Sequence, residues 1–250
     1  MEIHHPHHPT HKKKWSEYII EFVMLFTAVT LGFFAENIRE HQVEKHREIS
    51  YLKNVHEDLK LDLKNIDFVI NQNNVRLNAM DSLFKYINSG TISDQDLYYY
   101  IRNLALRATF ESSHIGLDQI KSAGGLRMIK NSKIIFGIQE YERILNSTEK
   151  LENVRERTLE QARFKMALVF DPSISYEMLS NQGKGTMRFK RPLKADPISK
   201  NNKSAIKELL NLITFGLNTN KYLNSKLNDL KVIGAQLDEV ILKEYRDNFE

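Results

Sequence analysis

Apolar and polar positions follow two different rules along this chain. Between Phe22 and Ala35 no charged residue occurs, and apolar side chains point to every side, relieved only by Thr27, Thr30 and Gly32. A helix on the surface of a soluble fold would show a polar stripe, and this one has none. From Ile49 onward the rule changes to a 3-4 alternation: Ile49, Leu52, His56, Leu59, Leu63, Ile66, Ile70, Asn73, Leu77, Met80, Phe84 and Ile87. That spacing predicts a helix that lays one face along a helical partner. No Gly or Pro interrupts Asn37 to Ser89, so one helix is expected to run through both zones. His56 and Asn73, the polar members of the stripe, are placed at the edge of the seam.

Further elements follow from caps and breakers. Ser93 opens a second helix to about Arg107, with Asp94 and Asp96 in its first turn. Ser112 or Ser113 is expected to cap a short third helix ending at Gly124-Gly125. Asn131 or Ser132 opens a long fourth helix to about Phe170, stopped by Asp171-Pro172. A short helix over Ser173–Asn181 precedes a breaker-rich basic loop at about 182–202. The last helix, about Ser204 to Asn248, repeats the stripe through Ile206, Leu209, Ile213, Leu223, Leu227, Leu230, Leu237 and Ile241. The fold expected is all-α: an N-terminal transmembrane helix continuing into an elongated helical bundle.

Composition narrows the classes. Apolar residues make up 41% and charged residues 27% of 250, the balance of a globular protein rather than a disordered one. A net charge of +4, with no aromatic-basic interleaving, does not point to nucleic acid. The absence of cysteine rules out disulfides, thiolate metal sites and a cysteine nucleophile.

The first zone needs a solvent. Phe22–Ala35 is about 21 Å of helix, short of a ~30 Å hydrocarbon core, but counting back through Glu21 to Tyr18 gives a plausible span. Glu21 would then lie one turn inside, where it can snorkel toward the interface or take a proton, and Trp15 and Tyr18 lie where an aromatic belt is expected. A cleavable signal peptide is a rival reading, yet Phe33 would occupy −3 for cleavage after Ala35, where a small residue is wanted. A buried core helix is the second rival. Lys12, Lys13 and Lys14 precede the run, and Glu36, Arg39, Glu40 and Glu44 follow it, so the N-terminus is expected in the cytoplasm. The expected organisation is a His/Lys-rich disordered cytoplasmic tail over 1–14, a transmembrane helix over 15–36 and a periplasmic helical bundle over 37–250, with the basic loop at about 182–202. Within the span, Glu21, Leu25, Ala28, Gly32 and Ala35 share one face, and Ala28-x-x-x-Gly32 is a small-xxx-small pair suited to another transmembrane helix.

Catalytic and metal motifs are sparse. His4, His5, His7, His8 and His11 are dense enough to bind a transition metal weakly, although a fortuitous binder is the plainer reading. Glu36, Glu40 and Glu44 stand at helical spacing, with His41, Glu44 and Glu48 also near one face, a spacing that could ligate a metal just outside the bilayer but is more often a solvated face with i,i+4 pairs. Glu111-Ser-Ser-His114 has the form used in di-iron bundles, but the second pair those require lies only at Glu2/His5 in the tail. "GKGT" at Gly183–Thr186 lacks P-loop spacing. Lys184, Arg188, Lys190, Arg191 and Lys194 form a candidate lipid-facing loop. If the two short helices make a down-and-up pair, the fourth helix returns about 60 Å toward the bilayer and brings that loop to it. No cofactor is implied.

"KKKWSEYIIEFVMLFTAVTLGFFAENIREH" resembles the start of uncharacterised single-span proteins of Gram-negative bacteria that open with a His-rich tail and a Lys-Trp pair. "FESSHIGLDQIKSAGGLRMIKNSKIIFGIQEYERI" resembles the centre of a related domain-of-unknown-function family. Ile120, Ser122, Gly124, Gly125, Leu126, Ile129 and Asn131 fill its run between a short and a long helix. The resemblance implies an anchored helical domain of the bacterial inner membrane and no assigned activity. The expected role is a non-catalytic scaffold, adaptor or sensor-like module, partnered by the bilayer and by another membrane protein or its own copy. Alternatives are a subunit of an ion-driven complex using Glu21, and a metal-binding helical bundle.

Overall fold

A computed structural model describes residues 14–122, 124–179, 189–195 and 203–249. Among these the chain is all-helical, apart from one isolated bridge between Leu179 and Phe189. The helices are α1 (Trp15–Ser89), α2 (Asp94–Leu104), α3 (Ile115–Ser122), α4 (Ser132–Val169), α5 (Pro172–Glu177) and α6 (Lys203–Tyr245), with 3-10 turns at Gly125–Arg127 and Arg246–Asn248. The chain divides into two units, Met1–Ile49 and Ser50–Glu250. In the first, helical pairs such as Glu36–Arg39 and His41–Glu44 decorate the polar stretch, and Phe22 stacks on Phe26.

In the second unit the boundaries of α1, α2, α4 and α5 have local causes. α1 stops where Gly90 adopts φ +67° and the Thr91 N–H returns to the Tyr86 carbonyl, a left-handed C-cap that glycine takes without Cβ strain. Ser93 caps α2 by accepting from the Asp96 N–H at 3.1 Å, and Asn131 caps α4 through the Lys133 N–H at 2.9 Å. Asp171 accepts from the N–H groups of Ser173 and Ile174, with Pro172 as the first residue of α5. α3 departs from expectation. Its free N–H at Gly116 is taken by Asp58 of α1 at 2.7 Å, while the hydroxyls of Ser112 and Ser113 donate to Asp62 and Asp58. The cap is supplied across the fold rather than along the chain.

The directions of the helices follow from which residues meet. Descending from α2, Ala108 lies beside Arg155, the Glu111 carbonyl accepts from Asn65, Ser112 meets Asp62, Gly116 meets Val55, Gln119 meets Asn54 and Gly125 meets Tyr51. Residues 94–125 therefore run antiparallel to α1, as one returning limb. α4 starts beside the early seam and ends beside Leu83: Tyr141 reaches Asp62, Arg155 reaches Asn73, and Met166 joins the apolar cluster of Leu83 and Tyr98. α4 is thus parallel to α1, which corrects the expectation of a down-and-up pair and a returning fourth helix. The physical reason is residues 105–114, whose backbone and hydroxyls are bonded in sequence along α1 and α4 and cannot fold back at one end. α6 makes the final return, from Leu209 in the Leu83 cluster, past Asn220, to Asp238 beside His56.

The seam of α1 is also rotated from the expected line. Leu52, Val55, Leu59, Asp62, Ile66, Val69, Asn73 and Leu83 are buried, whereas His56, Leu63, Ile70, Leu77 and Phe84 are half-buried. The buried line keeps 3-4 spacing but takes the neighbouring residue at alternate positions. Asn73, expected at the edge, is fully buried.

Candidate functional site

Two polar networks lie inside the bundle. In the first, Asp58 and Asp62 stand one turn apart on α1, with side chains aimed at the returning limb. Asp58 accepts from the Ser113 hydroxyl (2.6 Å) and the Gly116 N–H (2.7 Å). Asp62 accepts from the Ser113 N–H (2.7 Å), the Ser112 hydroxyl (2.5 Å) and the Tyr141 hydroxyl (2.6 Å). Burial raises the Asp62 carboxyl above its ordinary value, against three lowering hydrogen bonds. Burial, followed by the Asp62 charge, pushes the Tyr141 phenol far above the tyrosine range, so it stays a donor. These donors are consumed in joining α1, α3 and α4.

The second network centres on Arg155, 2% exposed. Its guanidinium donates to Asn220 (3.0 Å), the Ala108 carbonyl (2.9 Å), Asn73 (3.4 Å) and Glu152 (3.3 Å). Glu152 in turn accepts from the Phe110 N–H, and Asn73 donates to Asn224. One planar fork thus binds three helices and the limb.

A cleft of about 520 Å³ opens between α1 and α2, closed on a third side by Arg191. Arg76 reaches into it half-buried, donating to the Gln72 carbonyl one turn back at 3.0 Å. Among the described residues no carboxylate forms an ion pair with it. Burial, and then the charge of Arg155 behind it, lowers its pKa to about 10, so it remains a cation at neutral pH. Arg191 pairs with Asp96 and lies over the Tyr99 ring at 4.8 Å. A second cleft, of about 900 Å³, lies between α4 and α6 and is apolar, with Phe164, Leu168 and Phe215 exposed along it.

The residues expected from sequence fall as follows. Glu21, Leu25, Ala28, Gly32 and Ala35 are all exposed within α1, and a Cβ added at Gly32 would meet nothing within 4 Å. α1 contains one window long and apolar enough to cross a membrane, and none of it is buried. His4, His5, His7, His8 and His11, and the loop residues Lys184 and Arg188, lie outside the described residues. Of the other loop cations, Lys190 and Lys194 are exposed, while Arg191 is engaged as above. The direction of α4 removes the reason for placing this loop at a bilayer. His114 is exposed near Asp118 at 3.4 Å, and Glu111 is tied to Asn65 through its carbonyl. His56 contacts Asp238 at 2.6 Å and stacks on Phe249. Among the described residues no group of three or more His, Asp or Glu is placed to hold a metal.

Sequence reasoning passed over Asp58, Asp62, Arg76 and Arg155. A signal was present for three of them: on α1, Asp62 and Arg76 fall on the 3-4 line through Leu52, Leu59, Ile66 and Asn73, and Asp58 is its neighbour. Compared with known proteins, the chain matches no family model, no curated protein and no solved structure.

Proposed function

We propose that this chain is a membrane-anchored, non-catalytic interaction module, a scaffold or sensor-like bundle held at a bacterial inner membrane by residues 15–36. The observation that carries the reading is the exposed apolar stretch of α1. From Trp15 to Phe34 its large side chains are more than half exposed, Phe22 at 67%, Leu25 at 68% and Phe33 at 74% among them. Apolar surface left in water costs about 25 cal/mol per Å², so a contiguous sleeve of this size calls for hydrocarbon or another helix around it. A bilayer supplies that along the whole circumference, whereas one partner helix covers one face.

Three lysines before the segment and a mixed acidic stretch after it support a cytoplasmic N-terminus and an extracytoplasmic bundle. The face of Glu21, Leu25, Ala28, Gly32 and Ala35 supports pairing with a second transmembrane helix, its own copy or a partner's. The engagement of both buried networks in joining helices supports an architectural role for their charges.

Alkaline carbonate extraction of membranes tests the anchor. The wild-type chain is expected to stay in the pellet, and a Phe26→Lys/Val29→Lys variant to shift to the supernatant. Wild-type chain released by carbonate would sink the reading.

A further inference from the structure

We propose that the cleft around Arg76 binds a small organic carboxylate, its charge on the Arg76 guanidinium and its apolar body between α1 and the tyrosines of α2. This goes beyond the anchoring reading and does not rest on it.

Of the two cations lining the cleft, Arg76 alone has no acidic partner among the described residues, and the other arginines nearby are all engaged. Arg155 is answered by Glu152 at 3.3 Å, Arg163 by Glu156, and Arg191 by Asp96. Arg102 lies over the Phe189 ring at 4.2 Å. Arg76 has instead a backbone carbonyl of its own helix and a like charge behind it. A half-buried guanidinium in that position costs stability, and an apolar side chain of similar length would cost less. Its presence in a cleft of about 520 Å³, within the ordinary range of small-molecule sites, is what a ligand would explain.

The shape and charge of the cleft select the ligand. Five N–H donors in a planar fork match a carboxylate bidentately, and one is already spent on Gln72. The uncompensated charge is a single positive one. The other cation lining the cleft, Arg191, is already neutralised by Asp96, so the second charge of a dianionic phosphate has no cation of its own there. Val75, Ala79, Leu104 and the rings of Tyr99 and Tyr100 line the remainder, a wall for an aromatic or short aliphatic body.

Purified full-length protein in detergent, followed by thermal unfolding and calorimetric titration, tests the assignment at constant ionic strength. The probes are benzoate and hexanoate, with benzamide as the neutral isostere and inorganic phosphate as the competing anion. The carboxylates are expected to raise Tm saturably, and benzamide and phosphate to leave it unchanged. Arg76→Met is expected to raise Tm without ligand and to weaken carboxylate binding by about tenfold or more. Gln72→Glu, nearly isosteric and one turn before Arg76, supplies the missing charge. It is expected to raise Tm and abolish the carboxylate response. The proposal is overturned by a wild-type protein indifferent to both carboxylates or responding equally to phosphate. It is also overturned by an undiminished response in Gln72→Glu, or by an Arg76→Met protein less stable than wild type.

Discussion

The Tyr141 hydroxyl donates to the Asp62 carboxylate at 2.6 Å, joining α4 to α1 inside the bundle where Asp62 is 1% exposed. With Ser112 and Ser113 as its other donors, this carboxylate is held, among the described residues, by hydrogen bonds alone and without a cation. Removing it strands three donors, so Asp62→Ala is expected to cost about 2–4 kcal/mol in denaturant unfolding, and Tyr141→Phe about 1 kcal/mol.

The same pair gives a pH signature. Because burial raises Asp62 above its unfolded value, the folded state binds the proton more tightly than the unfolded chain. Stability therefore falls as pH rises from the unfolded carboxylate range through the raised value, and the loss is complete above it. Asp62→Asn is expected to flatten that part of the stability–pH curve. An unchanged slope in the variant would show that another group carries it.

Arg155 is expected to be less replaceable than its charge alone suggests. Arg155→Met leaves Glu152, whose side chain is 11% exposed, without its cation, and removes the link among α1, α4, α6 and Ala108. A loss of about 3–5 kcal/mol is expected. Arg155→Lys keeps the charge but not the fork, and is expected to recover less than half of it.

Gly116 presses against α1. A Cβ there would stand 2.5 Å from the Val55 nitrogen and 2.7 Å from the Asn54 carbonyl carbon, both backbone atoms that cannot swing aside. Gly116→Ala is expected to cost about 3 kcal/mol and to disturb the Gly116–Asp58 bond. Amide exchange at Gly116, measured beside global unfolding, distinguishes a lost local contact from general loosening.

Topology has a direct readout. A reporter fused after residue 250 is expected to be active only if it works outside the cytoplasm. In a membrane association assay, Gly32→Leu and Glu21→Ala are expected to weaken pairing more than Phe26→Ala. Equal effects would leave the Glu21 face without a special role.

The starts of α2, α4 and α5 and the end of α1 were legible because their causes are local, whereas α2 and α5 end three or four residues earlier than expected. Ser93, Asn131 and Asp171 cap the helices they precede, and Gly90 ends α1. Chain direction was not legible, because nothing in residues 105–114 announces partners on α1 some 50 residues earlier. The rotated seam has a sharper cause. Val55, Val69 and Leu83 occupy the true inner line, but Asp62 and Arg76 stand between them, and charged residues read as a solvent face. The polarity that hid the seam is the polarity that builds the Asp62 network and the Arg76 cleft.

The contacts of Phe249 bear on when this bundle can form. Lys53 donates to the Phe249 carbonyl, and His56 stacks on its ring while holding Asp238. The start of the seam is therefore matched to residues made roughly 200 positions later. During synthesis Leu52, Val55 and Leu59 emerge early and, beyond the limb that lays Gly116 on Val55, await α4 and α6, so the fold closes only after Phe249 has emerged. For a chain exported as it is made, that interval is spent beyond the translocation pore. On that proposed topology, a holding chaperone in the receiving compartment is expected to raise its yield.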